Sequence, residues 1–522
     1  MYGMGALVVK AARFYPERMA VADINGGLSY AQLNDSVNRI ANYLLYLGLK
    51  KGDRLGFVCD NCVEFAQLWL ATQKTGIVSV FLNYRATQEE ISRDVRRSRC
   101  QALFYSPKWK NIISRRDISG SGVRFLISFG DDTPDGHISL SYICQNSRAD
   151  EPQVDIAETD WSTILYTSGS TGLSKGVVRT HRMVFEYAMQ MAAEHEYYKT
   201  ERVCILSHSP LFHTGGLSQL MKSLALSGSL VVVNGVDPEL ISALIEKYRA
   251  TQLFFVPPVN IMRFDGSQAV KARDLSSVNH IWATGGKLSE EYVLKMLELF
   301  PGCRVKTSYG GTEFCSAGSI SHCLTPQQVS ADPELLESAC TIGLFADVRL
   351  VDENGADVAL GEPGELLVSS PFVMEGYLDD PEETARVLVD GWYHTGDVFR
   401  MDQRGLMFFM DRKSSMIKTG GENVYPNEVE SVLRRHDKVI DCAVVALPDP
   451  KWEQAVAAAI VPAGELKLSE LIDFARQNLA GYKKPQYYLL LDELPRTASG
   501  KIDRRALLNS QVYKFKSIKE IN

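Results

Sequence analysis

Over its first 330 residues the chain alternates short β-branched or aromatic runs with helical stretches, and that alternation narrows the fold more than any other feature of the sequence. It predicts an α/β fold with mostly parallel strands, because parallel neighbours need a crossover between them, usually a helix. Leu33, Val37, Ile40, Leu44 and Leu47 step by four and three and predict one apolar helix face. Lys51-Gly52-Asp53 ends that helix and feeds a strand near Leu55–Cys59. Further strands are expected at Ile77–Leu82, Ala102–Tyr105, Arg124–Ser128, Val203–Leu206, Leu230–Val233, Leu253–Val256 and His280–Ala283. Several end in Gly, Pro or Ser clusters, and ligands of open α/β sheets gather at the carboxyl ends of strands.

From about residue 340 the pattern changes to short strands joined by polar turns: Val348–Val351, Glu365–Val368, and the pair Val398–Met401 and Leu406–Met410. A smaller β-rich subdomain is expected there. After Arg412 a second α/β unit begins, with a helix near Pro426–Arg435, strands at Cys442–Leu447 and Val456–Val461, and a helix near Leu468–Leu479. A length of 522 residues accommodates two or three such domains. With 56 basic and 63 acidic residues the formal charge is −7, which argues against a chain that lives on nucleic acid or an anionic membrane. Its ten cysteines are scattered, no secretory pattern opens the sequence, and no apolar run approaches the length that crosses a bilayer. Reduced thiols, a cytoplasmic address and no transmembrane segment are expected.

The most informative stretch runs from Tyr166 to Val177. It packs five Ser or Thr hydroxyls, three glycines and one lysine into twelve positions after the apolar Ile164-Leu165. Glycines let backbone N–H groups approach closely, hydroxyls donate further, and Lys175 adds a point charge, so the loop suits phosphate oxygens. A flexible Gly/Ser loop has the same composition. It is not a Walker A loop, because Ser174 stands where that motif has Gly.

Tyr166 to Val177 resembles the signature loop of the adenylate-forming acyl-CoA synthetases, and other segments match that family in order. Tyr309-Gly310-Gly311-Thr312-Glu313 resembles its Tyr-Gly-x-Thr-Glu motif, Gly361 to Leu366 its Gly-Glu-x-Gly-Glu-Leu, and Trp392 to Asp397 its Trp-x-x-Thr-Gly-Asp. Leu494 to Ile502 resembles the loop that brings in its catalytic lysine. The likeness extends from about Leu28 to Arg505.

The resemblance implies a large N-terminal domain of α/β subdomains with a β-rich subdomain, over residues 1–411. It also implies a hinge at 412–414 and a small mobile C-terminal α/β domain over 415–522. It implies two half-reactions: a carboxylate attacks the α-phosphorus of ATP, giving an acyl-adenylate and pyrophosphate, and the thiol of coenzyme A then displaces AMP. ATP, Mg2+ and CoA follow as cofactors and cosubstrate.

Residue by residue, Thr167, Ser168, Gly169, Ser170, Thr171, Gly172 and Lys175 would hold the β- and γ-phosphates. Tyr309 would stack beside the adenine, Thr312 contact the α-phosphate, and Glu313 ligate Mg2+. Asp397 would accept from the ribose hydroxyls with Arg412 beside it, and Gly285 and Gly286 would line the adenine and acyl pocket. Lys501 would bridge the carboxylate and the α-phosphate; read alone, it fits a solvated basic tail with Lys483, Lys484, Arg504 and Arg505 better, and the motif around it reverses that preference. His213 occupies the position of a gate between nucleotide and acyl sites, and Gly311 belongs to the pocket. Gly420-Gly421-Glu422 resembles the loop entering the pantetheine tunnel, which assigns Gly421 and Glu422 to the thiol substrate.

The sequence departs from the family pattern at three places. Ser174 replaces the usual proline, so the loop loses a fixed φ and is expected to be more mobile. Ser414 and Ser415 stand where charged residues are common at the pivot, and Glu453-Gln454 replaces a Gly-Glu pair. Cys59-Asp60-Asn61-Cys62 has redox or half-zinc spacing, but no second pair completes a four-ligand site, and core packing is the expected role.

The leading function is therefore a carboxylate–CoA ligase acting on a small-molecule acid, as a monomer or homodimer and with no nucleic-acid partner. A ligase that loads a carrier-protein phosphopantetheine is the alternative within this chemistry, and a catalytically silent nucleotide-binding protein the alternative outside it. Phe212-His213-Thr214 offers no acid for an α-ammonium, which disfavours amino-acid substrates. Pocket candidates Phe212, Trp282, Thr284, Tyr309 and Gly311 fit several acids, with fatty or aryl acids the first expectation.

Overall fold

The computed structural model describes residues 3–111, 113, 121–130, 133–167, 174–194, 202–255, 263–283, 290–315, 324–332, 334–419, 422–496, 502–509 and 512–521. They group into two compact units, Met1–Val348 with Val368–Tyr393, and Arg349–Leu367 with His394–Asn522.

The first unit contains the expected α/β architecture as two sheets. In the eight-stranded sheet, Val78–Phe81, Arg54–Val58, Ala102–Tyr105 and Phe125–Ser128 pair in parallel. Trp161–Thr167 joins Val78–Phe81 in parallel and then forms an antiparallel hairpin with Lys175–Thr180. The hairpin is extended at the sheet's edge by Gly376–Tyr377, where Tyr377 pairs with Val177. The seven-stranded sheet has Arg304–Lys306, His280–Ala283, Gln252–Phe255, Cys204–Ser207 and Ser229–Val232 side by side, all parallel. Ala102–Tyr105 and His280–Ala283 coincide with the predicted strands, and the others agree to within a residue or two.

The predicted first amphipathic helix is Tyr30–Tyr46, opened by a capping box in which Ser29 accepts from the Gln32 amide and buried along Leu33, Val37, Ile40 and Leu44. One face of the seven-stranded sheet packs a continuous apolar core that includes Leu206, Val231, Leu253, Ile281, Ala283 and Val305. Burying an aliphatic side chain of this kind is worth about 1.5–3 kcal/mol, so this face alone is a strong reason for the sheet to form.

Strand Trp392–Met401, which belongs to the second unit from His394 on, and Met407–Arg412 make the hairpin expected around Asp402-Gln403-Arg404-Gly405, with Asp397 opposite Arg412. Lys413–Ser415 is a single 3-10 turn, so the expected pivot lies within this unit's run of chain. The buried Asp411 carboxylate accepts from the backbone N–H groups of Arg412 and Asn427 and ties the hairpin to helix Pro426–Leu433. The C-terminal sheet pairs Val439–Asp449 with Glu453–Pro462 antiparallel, and adds Tyr487–Leu490 in parallel. The Glu453-Gln454 departure falls in a strand start, with Glu453 at φ 65° and paired with Asp449. Helix Leu468–Asn478 covers this sheet as predicted.

Candidate active site

The hairpin that closes with Thr167 opposite Lys175 sets the first charged group of the site. Residues 168–173 lie outside the described residues, and with them Ser168, Gly169, Ser170, Thr171 and Gly172. The lysine itself is well placed. Its ammonium lies 5.0 Å from the centroid of the Tyr377 ring and is ion-paired with Glu383. Glu383 also takes a two-pronged bond from Arg386, at 2.6 and 2.7 Å, and these cations hold its carboxyl down at about 2. Ser174 shows what replaces the missing proline. Its hydroxyl donates to Asp94 at 2.8 Å and its carbonyl accepts from Arg97 at 2.8 Å, so two tertiary bonds hold the loop's end where a fixed φ would otherwise do so.

The Tyr309–Cys315 segment supplies the second charged group. The Gly311 N–H donates to the Cys315 carbonyl at 2.8 Å, and Cys315 adopts φ 58°, closing a tight turn. A side chain at Gly311 would press against the Phe314 ring, 2.6 Å away. Phe314 stacks between Tyr309 and Tyr393, each 5.5 Å from it. The Glu313 carboxylate accepts from the Tyr377 hydroxyl at 3.0 Å, and its backbone carbonyl accepts from Met374 at 2.7 Å. Tyr377 thus touches both charged groups, with Lys175 over its ring and Glu313 at its hydroxyl. Burial beside the Glu313 charge pushes the Tyr377 phenol well above its ordinary range, so it stays a hydrogen-bond donor.

Thr312 is fixed from below by Arg179, which is fully buried, donates to the Thr312 carbonyl, and reaches the Thr214 hydroxyl at 3.0 Å. Thr214 begins helix Thr214–Ala225, and His213 is its N-cap residue. The exposed His213 ring stacks on Phe212 at 4.1 Å, and Phe212 meets Tyr84 edge-on at 4.9 Å. Gly216 is obligatory here, since a Cβ would run into the Pro210 carbonyl.

In the second unit the buried Asp397 carboxylate pairs with Arg412 at 2.9 Å across the hairpin. The neighbouring Glu365 accepts from the Gly396 N–H at 3.3 Å and from Lys413 at 2.7 Å. Glu422 is exposed and pairs with Thr419 in a short hairpin, while Gly420 and Gly421 lie outside the described residues. Lys501 is also outside them. The chain on either side of it is anchored: Arg496 bridges Ile502, the Asp503 N–H donates to the Pro495 carbonyl at 2.7 Å, and Arg504 reaches the buried Glu430 at 2.6 Å. Gly285, Gly286 and Thr284 are likewise not described.

Tyr377, Glu383 and Arg179 are functional neighbours that the sequence reading missed. Arg179 does carry a signal, as a charge in the middle of the strand run Gly176–Thr180, where solvent would not be expected. Cys59 and Cys62 do lie 3.4 Å apart through their sulfurs, but both are buried, and burial raises the Cys62 thiol far above its ordinary value. They pack as thiols.

Residues 8–378 match the model of the AMP-binding enzymes, and residues 428–501 match that of the AMP-binding enzyme C-terminal domain. The chain belongs to the AMP-binding enzyme family. A feruloyl-CoA synthase of Amycolatopsis sp is 32% identical over 507 residues, spanning 96% of this chain and 97% of that one. The long-chain-fatty-acid–CoA ligase FadD13 of Mycobacterium tuberculosis is 31% identical over 491 residues, 92% of each. The solved structure of o-succinylbenzoate CoA synthetase (MenE) of Bacillus subtilis, in complex with its acyl-adenylate, superposes with a TM-score of 0.82 at 26% identity, covering 98% of both chains.

As a member of this family the protein is an AMP-forming carboxylate–CoA ligase that uses ATP, Mg2+ and CoA, with a large N-terminal and a small C-terminal domain. Among the described residues no helix is long and apolar enough to cross a membrane. None of them forms a cluster of three or more His, Cys, Asp or Glu that could hold a metal unaided. The single Glu313 carboxylate fits Mg2+, which takes one or two carboxylates and completes its sphere with water and substrate phosphate oxygens. Glu313 is the carboxylate that would hold it, and the ion would offset charge on the phosphates during adenylation.

Proposed function

We propose that the protein activates a fatty or aryl carboxylic acid at the Lys175–Tyr377–Glu313 cluster and transfers the acyl group to CoA. The acid's carboxylate oxygen bonds to the α-phosphorus as the bond to the pyrophosphate oxygen breaks. In the second step the CoA sulfur bonds to the acyl carbon, AMP leaves, and the thiol proton passes to solvent. No general base is needed first, because a carboxylic acid is ionised at neutral pH. The observation that carries this reading is Tyr377 touching both Lys175 and Glu313, a cation and a carboxylate on one aromatic ring, which supports one of them for phosphate and the other for the metal. The feruloyl-CoA and fatty-acid ligases among its relatives support the choice of acids.

In this reading Lys175 and Thr167 to Gly172 hold the β- and γ-phosphates. Thr312, positioned by Arg179, meets the α-phosphate; Tyr309 stacks on adenine with Gly285 and Gly286 nearby. Asp397, oriented by Arg412, takes the ribose hydroxyls, and Lys501 bridges carboxylate and α-phosphate. His213 and Gly311 border the acyl pocket, and Gly421 and Glu422 serve the CoA arm. Residues 415–522 turn about the hinge 412–414 between half-reactions, an exchange that the uncharged Ser414 biases. The enzyme works in the cytoplasm as a monomer or homodimer.

A pyrophosphate-release screen over short, medium and long fatty acids, aryl acids and polar acids, with and without CoA, tests the reading. Release that needs an acid, with thioester formed only when CoA is added, is expected. Background release with every acid would overturn it. Lys501→Ala should abolish adenylation; retention of adenylation would remove Lys501 from the role given to it.

A further inference from the structure

Strands Gln252–Phe255, His280–Ala283 and Arg304–Lys306 run in parallel, with Phe254, Trp282 and Lys306 in register across them. Alternate residues point to opposite faces of a strand. Leu253, Ile281 and Val305 therefore build the apolar core on one side. The other side carries Gln252, Phe254, Trp282 and Lys306, and it is buried as deeply, with Gln252 at 0% and Lys306 at 2% exposure.

Two helices close over this polar face. On Thr214–Ala225, residues Gly215, Gln219 and Lys222 are spaced by four and three and share one side. A Cβ at Gly215 would stand 3.3 Å from the Phe254 ring, and the Lys222 ammonium lies 4.6 Å from the centroid of Trp282. Glu194 follows helix His181–Ala193, and its backbone carbonyl accepts from the Lys306 ammonium at 3.1 Å.

Six polar atoms in this layer are buried without a hydrogen-bond partner: Lys222 Nζ, Glu194 Oε1, Gln219 Oε1, Trp282 Nε1 and both amide atoms of Gln252. Native interiors leave only a few such atoms per hundred residues, so six in one layer mark a place where a polar ligand belongs. The charges point to its sign. Two lysines, Lys222 and Lys306, face one carboxyl, Glu194, which burial pushes up to about 8 so that it is largely uncharged at neutral pH, and His280 at the margin is neutral, its imidazole held down at about 4 by burial and by Lys306, Lys222 and Arg304. The layer therefore lacks the negative charge that would hold Lys222 as an ammonium beside Lys306, and an anionic ligand would supply it.

The layer also has a direction. Gly215 lies next to the His213 end of its helix, and Lys222 is seven residues farther on, roughly 10 Å along the axis. We propose that the acid substrate is a dicarboxylic acid whose second carboxylate, roughly 10 Å from the activated one, sits between Lys222 and Lys306 with Gln219, Gln252 and Trp282 around it. This rests on the reading of His213 as the border of the acyl pocket, and it replaces a plain fatty acid with one polar at both ends.

Matched pairs of acids test it: suberate against octanoate and sebacate against decanoate, by pyrophosphate release with CoA present. The diacids are expected to show kcat/KM at least tenfold above their partners. Lys222→Met should remove that advantage while leaving the monoacids within about threefold, a selective loss that a general packing defect would not produce. Preference of the wild type for the monoacids, or an equal loss on both by Lys222→Met, would overturn the proposal while leaving the ligase reading intact. If Lys222→Met does not fold, Lys306→Gln is the second variant, with the same selective loss expected. Suberate should also raise the melting temperature of the wild type without ATP. No shift with any diacid would mean that the layer holds ordered water only, and the proposal would fall. Pyrophosphate at background with every acid, alongside a suberate shift lost in Lys222→Met, would instead sink the ligase reading and keep the site.

Discussion

At the Lys175 end of the large unit, Lys175, Glu383 and Arg386 already satisfy one another, and Tyr377 connects them to Glu313. In the layer beyond His213, Lys222 and the Glu194 Oε1 atom are just as fixed in place yet have no hydrogen-bond partner. The first arrangement is half-buried, so its ion pairs can open toward a polyanion at modest cost. The second is sealed, where an unmatched charge costs far more than a surface one. An enzyme that always receives the same nucleotide can keep that end pre-paired. The end that selects among acids gains discrimination by remaining incomplete, since an acid that fails to supply the missing group leaves the penalty in place.

The strongest way to break this contrast is at the paired end. Glu313→Gln keeps the shape and the Tyr377 contact but removes the charge, and should lower pyrophosphate release roughly a hundredfold or more. A loss below tenfold in steady-state rates would deny Glu313 its role. Glu383→Gln tests whether the pre-formed pair helps. KM for ATP should rise about fivefold, equivalent to ~1 kcal/mol, with kcat within twofold; a fall in KM would mean that Glu383 competes with phosphate for Lys175. The Glu383 carboxyl is depressed in the fold, so its stabilisation is present above about pH 4.5 and lost as pH falls toward about 2. Acid titration of stability should therefore be shallower in Glu383→Gln than in the wild type.

The sealed end titrates the other way. Burial pushes the Glu194 carboxyl up to about 8, so the folded chain keeps a proton that the unfolded chain releases, and stability falls as pH rises from about 4.5 to about 8. Glu194→Gln should remove that fall, raising the melting midpoint at pH 8 by about 2 °C and hardly at all at pH 5. A parallel shift at both pH values would contradict the assignment. Lys222 contributes in the opposite sense, because burial and Lys306 depress its ammonium, and stability from it rises with pH toward the ordinary lysine range. The smallest effect belongs to Ser174→Ala, which removes one bond to Asp94 and should change KM for ATP by less than about threefold.

Much of this was legible in advance, and the parts that were not share a cause. The parallel strands could be located because each is a short apolar run between turn signals, as at Ala102–Tyr105. The motif residues Lys175, Glu313, Asp397 and Arg412 stand in local patterns that survive without knowledge of the fold. Tyr377 and Glu383 come from a segment some 200 residues after the loop they support, joined to it by a two-residue strand that no periodicity reveals. Nothing in the local sequence around Lys222 and Lys306 marks either as buried. Only the register of three strands and the face of one helix show that both are buried around Trp282. The expected looseness at Ser174 failed to foresee its bonds to Asp94 and Arg97 for the same reason, as both partners lie on helix Gln88–Ser98, far back in the chain.

The Tyr377 ring has a practical use beyond catalysis. Because a cation lies over its face and a carboxylate at its hydroxyl, a fluorotyrosine at this position would carry two readouts in one resonance. Withdrawal of Lys175 would change the ring current environment of the face, and engagement of Glu313 would change the phenol's hydrogen bond. A single label could then time nucleotide capture against metal capture, on a side chain buried enough to be silent to bulk solvent.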